Sequence, residues 1–381
     1  MAQNTQHHVK AAATPRPDQS IPGQIVLVLQ GGGALGAYQV GVYQALHEAG
    51  IEPEWVIGTS IGAINGAIIA GNPPAQRLEK LTRFWDLVQK PQGNALASMW
   101  LAMASAFSNH DTYTKGIEKF FVPNPQALWG VHTPLGIENA AFYSTAPLLE
   151  TLTDLIDFDY INAKHGRLTL GAVNVRSGEM HYFDTRELTL GVKHVMASGA
   201  LPPAFPAVRI DGETYWDGGI YSNTPIECVF DDKPRRNSLI FSANVWHPTG
   251  PEPETIWQVL GRQKDIQYAS RVKSHVKRQQ QIHRMRHIIR DLGQHIPAAM
   301  RDEPDVRKLL DYGCSSVMHV VPLLAPRVDG EDHTKDIDFT ATGIRGRWKA
   351  GYADMGRAIA QAPWKNAIDA MAGVIIHEIK V

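Results

Sequence analysis

Apolar runs and segments with helical spacing alternate along the first part of the chain. Residues 25–29 are continuously apolar, which is the pattern of a strand buried on both faces of a parallel sheet. Residues 37–47 place apolar side chains at helical spacing, and a second apolar run at 55–57 precedes the helix-like residues 63–69. The pattern therefore predicts a strand, a helix, a strand and a helix in this order.

The alternation continues further along the chain. Strands are predicted at 168–175, 180–183, 239–245 and 317–323, and helices at 75–89 and 147–156. The turn-forming residues 176–179 predict a hairpin between the first two of these strands. The predicted fold class is therefore α/β, with a mostly parallel sheet, helices on both faces, and ligand sites at the carboxyl ends of the strands.

Residues 92–142 interrupt this alternation. They are rich in Met, Trp, Ala and Phe, contain Pro and Gly, and show no strong period. We predict an apolar helical insertion, which forms either a lid or substrate wall, or a group of helices packed on the core.

A long amphipathic helix is predicted over residues 255–296. The apolar residues near one face are Ile256, Val259, Leu260, Ile266, Val272, Val276, Ile282, Met285, Ile289 and Leu292. The basic residues on the other face are Arg262, Lys264, Arg271, Lys273, Lys277, Arg278, Arg284, Arg286 and Arg290. This basic helix either contacts anionic lipid head groups at a membrane surface or is a solvated helix face.

Composition narrows the function classes. The 37 Lys and Arg residues balance 38 Asp and Glu residues, so no charge excess favours a nucleic-acid partner. The two cysteines, Cys228 and Cys314, form neither a disulfide framework nor a C-x-x-C motif, which fits a reducing compartment. Residues 1–22 lack the apolar core of a secretion signal and are predicted to be a disordered leader. We expect a cytoplasmic protein, either soluble or peripheral at a membrane surface.

A candidate nucleophile follows the second predicted strand. Residues 58–62 read Gly-Thr-Ser-Ile-Gly and match G-x-S-x-G between a strand and a helix, the context that this motif requires. Gly58 and Gly62 leave room for a sharp turn that exposes the Ser60 hydroxyl. The helix that begins after Ser60 directs its amides toward negative charge formed during acyl transfer. An ordinary strand-to-helix turn is the alternative.

The glycine loop, Gly31 to Gly36, also follows a strand and precedes a helix. Its G-x-G-x-x-G spacing is compatible with a dinucleotide site, but such a fold places an acidic residue at the end of the second strand, where this chain has Ser60. We therefore interpret the amides of Gly31, Gly32 and Gly33 as an oxyanion hole facing Ser60.

A nucleophilic serine requires a base. None of the sixteen histidines has an obvious catalytic setting in the sequence. Asp217 ends a short strand-like run and is followed by Gly218 and Gly219, which allow the backbone to approach another loop. On this pattern alone, Asp217 is either a catalytic base or a hairpin-turn aspartate.

The glycine loop, residues 58–62 and Asp217-Gly218-Gly219, in this order, resemble the three signatures of patatin-like phospholipases. Residues 196–206 are similar to the family's approach to its aspartate, and the resemblance covers roughly 24–245. It implies a three-layer α/β/α sandwich and a Ser-Asp dyad, with Ser60 as nucleophile, Asp217 as base and Gly31, Gly32 and Gly33 as oxyanion donors. Gln30 stands where many members carry an acidic residue.

The resemblance also implies a domain organisation. An acyl hydrolase domain is expected at 23–247, and residues 248–381 resemble a helical C-terminal extension of unknown function found in some bacterial members. The expected function is hydrolysis of lipid acyl esters, as a phospholipase A or a lipase-type esterase, without metal or other cofactor. The alternatives are a catalytically weak lipid-surface or partner-binding protein on the same scaffold, and a nucleotide-binding oxidoreductase.

Overall fold

The computed structural model describes residues 21–90, 116–269, 272–328, 331, 333–367, 369 and 371–380. Its strands are β1 (Gln24–Leu29), β2 (Trp55–Thr59), β3 (Val122–Pro123), β4 (Tyr143–Ser144), β5 (Arg167–Asn174), β6 (Met180–Asp184), β7 (Val208–Ile210), β8 (Glu213–Asp217), β9 (Ser238–Asn244), β10 (Met318–Leu324) and β11 (Val374–Ile376). Nine of them form one sheet in the order β11-β10-β9-β1-β2-β5-β8-β7, with β6 paired to β5. Strands β11 to β5 in this order are parallel, and β6, β7 and β8 pair antiparallel.

The helices are α1 (Ala37–Glu48), α2 (Ile61–Ala70), α3 (Pro74–Leu87), α4 (Ala146–Leu155), α5 (Phe158–Asn162), α6 (Val192–Ser198), α7 (Glu227–Phe230), α8 (Ile256–Ala269), α9 (Val272–His295), α10 (Ala298–Arg301), α11 (Pro304–Leu310) and α12 (Ala341–Gln361). Short 3-10 helices lie at Gly33–Gly36, Pro125–Trp129, Gly218–Ile220, Lys335–Ile337 and Pro363–Lys365. The strands and helices predicted before residue 248, outside 92–142, are confirmed with ends shifted by no more than two residues, as is the strand predicted at 317–323.

Strand β1 shows why the fold has three layers. Ile25, Leu27 and Leu29 belong to one apolar core, together with α1, α2 and α3, whereas Val26 and Val28 belong to a second core with α7 and α9. Successive side chains of a strand point to opposite faces, so a continuously apolar strand requires helices on both faces. The α/β/α sandwich predicted from the sequence is confirmed.

The C-terminal region is built into this sandwich. It adds β10 and β11 to the sheet, parallel to β9, and packs α12 along α1. The two helices cross closely because glycines face backbone on each side: a Cβ at Gly41 would lie 1.9 Å from the Trp348 carbonyl oxygen, and one at Gly351 would lie 1.9 Å from that of Tyr38. The Tyr38 hydroxyl also donates to Asp354 across the crossing, at 2.7 Å. The region after residue 247 therefore contributes strands as well as helices.

The long helix predicted over 255–296 differs from the structure in its buried face. The described residues of the segment form α8 and α9, and residues 270 and 271 between them lie outside the described residues. In α8 the apolar side chains face solvent, with Ile256 79% exposed, whereas Asp265 and Ala269 are buried. Helical spacing gave the correct type of element but the wrong buried face, because α8 is attached to the rest of the chain by ion pairs of Lys264 and Asp265 together with contacts of Tyr268 and Ala269.

The apolar helical insertion predicted at 92–142 lies partly outside the described residues, which resume at 116. Within 116–142 the structure shows β3 and the 3-10 helix Pro125–Trp129 with turns, and no α-helix. The leader predicted at 1–22 lies outside the described residues except for Ile21 and Pro22. No helix in the described parts of the chain is long and apolar enough to cross a bilayer.

The crossing of α1 and α12 gives a stability prediction. Gly351→Ala should lower the free energy of unfolding by about 2–3 kcal/mol, because the added methyl group meets the Tyr38 backbone. Gly356→Ala in the same helix adds a methyl group with nothing within 4 Å and should raise stability by about 0.5–1 kcal/mol. Urea unfolding of both variants tests this, and equal effects would contradict the close crossing.

Candidate active site

Ser60 lies at a sharp turn between β2 and α2. Its backbone has φ 57° and ψ −124°, a conformation that a non-glycine residue rarely adopts. A Cβ at Gly58 would lie 2.2 Å from the Gly62 carbonyl oxygen, and a Cβ at Gly62 would lie 2.2 Å from that of Leu29. Both glycines are therefore required by close backbone contacts around the serine.

Ser198, at the end of α6, fixes the backbone of this turn. Its hydroxyl accepts a hydrogen bond from the Ser60 backbone N–H at 3.1 Å and donates to the Gly171 carbonyl oxygen at 2.6 Å. The turn is thereby tied to β5. Ser198 lies in the stretch 196–206 already singled out in the sequence, but the pattern of that stretch does not indicate a contact with the Ser60 backbone.

Asp217 ends β8 and is placed beside Ser60. Its carboxyl group is buried, with the residue only 1% exposed. The Gly219 backbone N–H donates to Asp217 Oδ1 at 2.7 Å, and the Ser60 hydroxyl donates a hydrogen bond to the same carboxyl group. Burial raises the pKa of Asp217 to about 7, and the hydrogen bonds from Ser60 and Gly219 partly oppose this rise.

The two glycines after Asp217 allow this approach. A Cβ at Gly218 would lie 2.5 Å from the Gly171 carbonyl oxygen, and one at Gly219 would lie 3.0 Å from Asp217 Oδ1. The structure thus brings together Ser60 and Asp217, which are 157 positions apart in the sequence.

The glycine loop passes over the same cavity, and its three amides are not equivalent. The Gly31 N–H donates to the Asn223 carbonyl oxygen at 3.1 Å, so the oxyanion role expected for this amide needs correction. The amides of Gly32 and Gly33 make no hydrogen bond to any described residue, and both glycines line the cavity with Ser60. The sequence showed the glycines but not the asparagine that engages the first amide. Gly36 lets the loop approach α2, since a Cβ there would lie 2.5 Å from the Ile61 side chain.

Gln30, immediately before the loop, is a buried hydrogen-bonding centre. Its Nε2 donates to Thr224 Oγ1 at 2.7 Å, and its Oε1 accepts from the backbone N–H groups of Val245 and Trp246 at 2.6 and 3.1 Å. A neutral amide can donate and accept in this way, whereas a carboxylate could only accept. Gln30 therefore holds the start of the glycine loop to the segment after β9.

A cavity of about 160 Å³ lies next to Ser60 and Asp217, and most of its wall is apolar. The apolar lining residues are Ile61, Ile64, Phe120, Phe121, Leu148, Leu201, Ala204, Phe205, Ile337 and Phe339. Several of the aromatic rings contact one another edge to face, as Phe121 does with Tyr143 at a centroid distance of 5.0 Å. The cavity suits an extended apolar group whose polar end reaches Ser60.

No histidine lines this cavity in the part of the chain that the structure describes. Within the same residues, no group of three or more His, Cys, Asp or Glu side chains is arranged to hold a metal ion. The ionisable group in contact with the Ser60 hydroxyl is the Asp217 carboxyl group.

The fold and the site define an α/β protein with a serine at a strand-to-helix turn, a glycine loop and a buried aspartate. A family model described as Patatin-like phospholipase matches residues 27–229, more than half of the chain. The chain therefore belongs to the patatin-like phospholipase family. A second family model, described as Patatin phospholipase, matches residues 266–371 in the C-terminal region.

Individual relatives match part of the chain. The chain is 27% identical to human Patatin-like phospholipase domain-containing protein 6 over 205 residues, which are 53% of this chain and 12% of that protein. It is 24% identical to Lysophospholipase NTE1 of Candida glabrata over 229 residues, which are 59% of this chain and 11% of the relative. The chain thus spans only a small part of the curated relatives that it matches.

Among solved structures, VipD from Legionella pneumophila is similar at 18% identity and a TM-score of 0.35, covering 87% of this chain and 66% of that chain. The type III effector protein ExoU is similar at 14% identity and a TM-score of 0.31, covering 89% of this chain and 53% of that chain.

The pKa of Asp217 gives a prediction for stability. Because the pKa in the folded protein, about 7, lies above the ordinary aspartate value of 3.8, the folded state binds the proton more tightly, and Asp217 reduces stability as pH rises from about 4 to 7. Asp217→Asn removes this cost. The stability advantage of the variant over the wild type should widen by about 3 kcal/mol between pH 5 and pH 8. Thermal or urea unfolding at the two pH values tests this, and a pH-independent difference would contradict the burial of the charge.

Proposed function

We propose that this protein is a serine lipid acyl hydrolase of the phospholipase A or lipase-type esterase kind, acting through a Ser60–Asp217 dyad. The observation that carries the proposal is that Ser60, at its strained turn, and the buried Asp217 carboxyl group, whose pKa is about 7, line the same apolar cavity. A carboxylate with an ordinary pKa near 4 is a weak base toward an alcohol, whereas one near 7 suits general-base catalysis at neutral pH.

In the first step, Ser60 Oγ attacks the ester carbonyl carbon while Asp217 accepts the hydroxyl proton. The carbonyl oxygen becomes an oxyanion, which the free amides of Gly32 and Gly33 and the N-terminal end of α2 stabilise. One such donor typically contributes about 3 kcal/mol to transition-state stabilisation. The bond to the alcohol group then breaks, and this alcohol takes the proton from Asp217.

The second step releases the acyl group. A water molecule attacks the acyl-enzyme carbonyl carbon as Asp217 accepts a proton from the water. The bond between Ser60 Oγ and the acyl carbon then breaks, and Ser60 regains its proton from Asp217 while the fatty acid leaves. The same carboxylate thus serves both steps, and no metal ion takes part.

The apolar cavity supports a lipid acyl ester as substrate. Its wall provides contacts for a hydrocarbon chain, and polar groups are concentrated near Ser60 and Asp217. The names of the similar proteins, phospholipase and lysophospholipase, support the same substrate class. A lipid-binding protein without turnover is the less favoured alternative, because a strained serine beside a base with a raised pKa has no use in binding alone.

The dyad is tested by replacing each member. Ser60→Ala and Asp217→Ala should each reduce hydrolysis of acyl esters by about 10³-fold or more while leaving the circular dichroism spectrum unchanged. Matched controls at exposed positions are Ser177→Ala and Asp305→Ala, which should retain wild-type rates. Near-normal activity in either dyad variant would exclude the proposed mechanism.

We also propose that the protein contacts anionic membranes peripherally through the basic helix predicted around Arg262 to Arg290. Of its cations, Arg262 and Lys264 bond to the protein's own carbonyl oxygens and to Asp336. Lys277, Arg278 and Arg284 are exposed in α9 and form no ion pair within the described residues. Among the described side chains of the helix, these three are available to lipid phosphates. The exposed apolar side chains of α8, such as Trp257, offer further contacts with a lipid interface.

Charge reversal tests this contact. Replacing Lys277, Arg278 and Arg284 together by Glu should reduce co-sedimentation with phosphatidylserine vesicles by about tenfold or more, since each cation contributes about 1 kcal/mol near such a surface. The same reversal at the exposed residues Arg83, Arg176 and Lys308 keeps the net charge change and should have a much smaller effect. An equal loss of vesicle binding in both triple variants would show that overall charge, rather than the three cations of α9, accounts for the binding.

A further inference from the structure

We propose that the C-terminal region completes the acyl hydrolase site, an inference that rests on the proposed function. A pair of reciprocal ion pairs, Lys264–Asp336 and Lys335–Asp265, positions the glycine loop for oxyanion stabilisation. Side chains from the same region, including Ile337 and Phe339, form part of the wall against which the acyl chain lies.

The two ion pairs link α8 to the 3-10 helix Lys335–Ile337. Lys264 Nζ lies 2.8 Å from Asp336 Oδ1, and Lys335 Nζ lies 2.7 Å from Asp265 Oδ1. A Lys-Asp dipeptide on each element thus faces its counterpart in reverse order. The Lys335–Asp265 pair is nearly buried, with side chains 8% and 10% exposed, so its loss would leave an uncompensated charge in the interior. We call these four residues the charge clamp.

The charge clamp is in direct contact with the glycine loop. A Cβ at Gly33 would lie 2.2 Å from the Asp336 carbonyl oxygen, so the backbone of the 3-10 helix touches the backbone of the loop. Gly33 has φ 55° and carries one of the two loop amides that have no hydrogen-bond partner among the described residues. Any displacement of Asp336 therefore changes the space available to that amide.

A second contact from the C-terminal region holds the other end of the loop. The Tyr268 carbonyl oxygen, in α8, accepts hydrogen bonds from Gln30 Nε2 at 3.3 Å and Asn223 Nδ2 at 3.4 Å. The Tyr268 ring packs on Trp246, whose indole N–H donates to the Gly31 carbonyl oxygen at 2.7 Å. The loop is thus held at Gly31 and at Gly33 by partners that the charge clamp keeps in place.

This arrangement has a catalytic consequence. Oxyanion donors act only when they lie within hydrogen-bond distance of the position that the oxyanion occupies, and a displacement of about 1 Å can cost about 10²-fold in rate. Lys264 does not line the cavity; it contacts Asp336 and the His333 carbonyl oxygen, which makes it a positioning residue. Its loss should therefore lower kcat more than it changes KM.

The acyl wall depends on the same region. The Phe339 ring stacks on Trp85 and lies 5.8 Å from the Phe120 ring, which closes one side of the cavity. Ile337 lines the cavity and is only partly buried. Tyr268 also lines it, and burial together with the nearby Asp217 carboxylate raises the pKa of its hydroxyl to about 12. The C-terminal region therefore contacts the reacting end and the apolar end of the cavity.

The clamp is tested through its more exposed pair. Lys264→Glu should lower kcat by about tenfold or more with KM within about twofold, and Lys264→Asp combined with Asp336→Lys should restore kcat to within about threefold. The control Lys308→Glu reverses a lysine in an exposed ion pair and should leave kcat unchanged. Hydrogen exchange of a peptide covering residues 30–36 should be faster in Lys264→Glu and return to the wild-type rate in the charge-swapped variant.

The outcomes separate this inference from the proposed function. If the wild type does not hydrolyse acyl esters but exchange in the glycine loop still responds to the charge swap, the proposed function fails and the clamp stands. If the wild type is active and Lys264→Glu changes neither kcat nor exchange, the clamp is overturned. Equal effects of Lys264→Glu and Lys308→Glu would overturn it as well.

The acyl wall is tested by Ile337→Ala. The added space should raise the ratio of kcat/KM for dodecanoyl over hexanoyl p-nitrophenyl ester by about tenfold, as expected when a pocket changes by one or two methylene groups. Leu309→Ala, at a solvent-exposed position of α11, should leave the ratio unchanged. An unchanged ratio in Ile337→Ala, with the melting temperature preserved, would contradict the proposal that the C-terminal region forms part of the substrate wall.

Discussion

The burial of the Asp217 carboxyl group beside Ser60 is the constraint on which the rest of the site depends. A charged carboxylate in the interior is costly, so the protein lowers the cost with hydrogen bonds from Gly219 N–H and the Ser60 hydroxyl without removing it. The remaining cost raises the pKa to about 7, which gives the proposed base its strength at neutral pH. The burial that raises the pKa of Asp217 therefore lowers the stability of the folded protein, as is common at functional sites.

Close backbone contacts make this burial geometrically feasible. The carboxyl ends of β1, β2 and β8 meet because Gly58, Gly62 and Gly218 each face another backbone at distances that exclude a Cβ. The C-terminal region extends the same principle, since Gly351 lets α12 cross α1 and Gly33 lets the Lys335–Ile337 helix touch the glycine loop. The site and the C-terminal region thus form one packed unit, in which the backbone of Asp336 contacts the glycine loop.

Much of the fold could be predicted from the sequence because strong local patterns agreed with the tertiary structure. The apolar run at 25–29 predicted a strand buried on both faces, and β1 does separate two cores. The buried face of α8 could not be predicted, because Lys264 and Asp265 pair with partners about 70 positions away, and apolar spacing contains no information about such pairs. Likewise, the sequence identified the glycine loop but not the carbonyl oxygen of Asn223, which engages the Gly31 amide.

The central claim is that Asp217, with a pKa of about 7, activates Ser60. The most direct measurement is the rate of labelling by a fluorophosphonate between pH 5 and pH 9, with the modified residue mapped by mass spectrometry. We expect a single label on Ser60 and a labelling rate that rises with pH to a plateau above about pH 7. We expect this rise to disappear in Asp217→Asn. Labelling at another residue, or a rate on Ser60 that is independent of pH across this range, would contradict it.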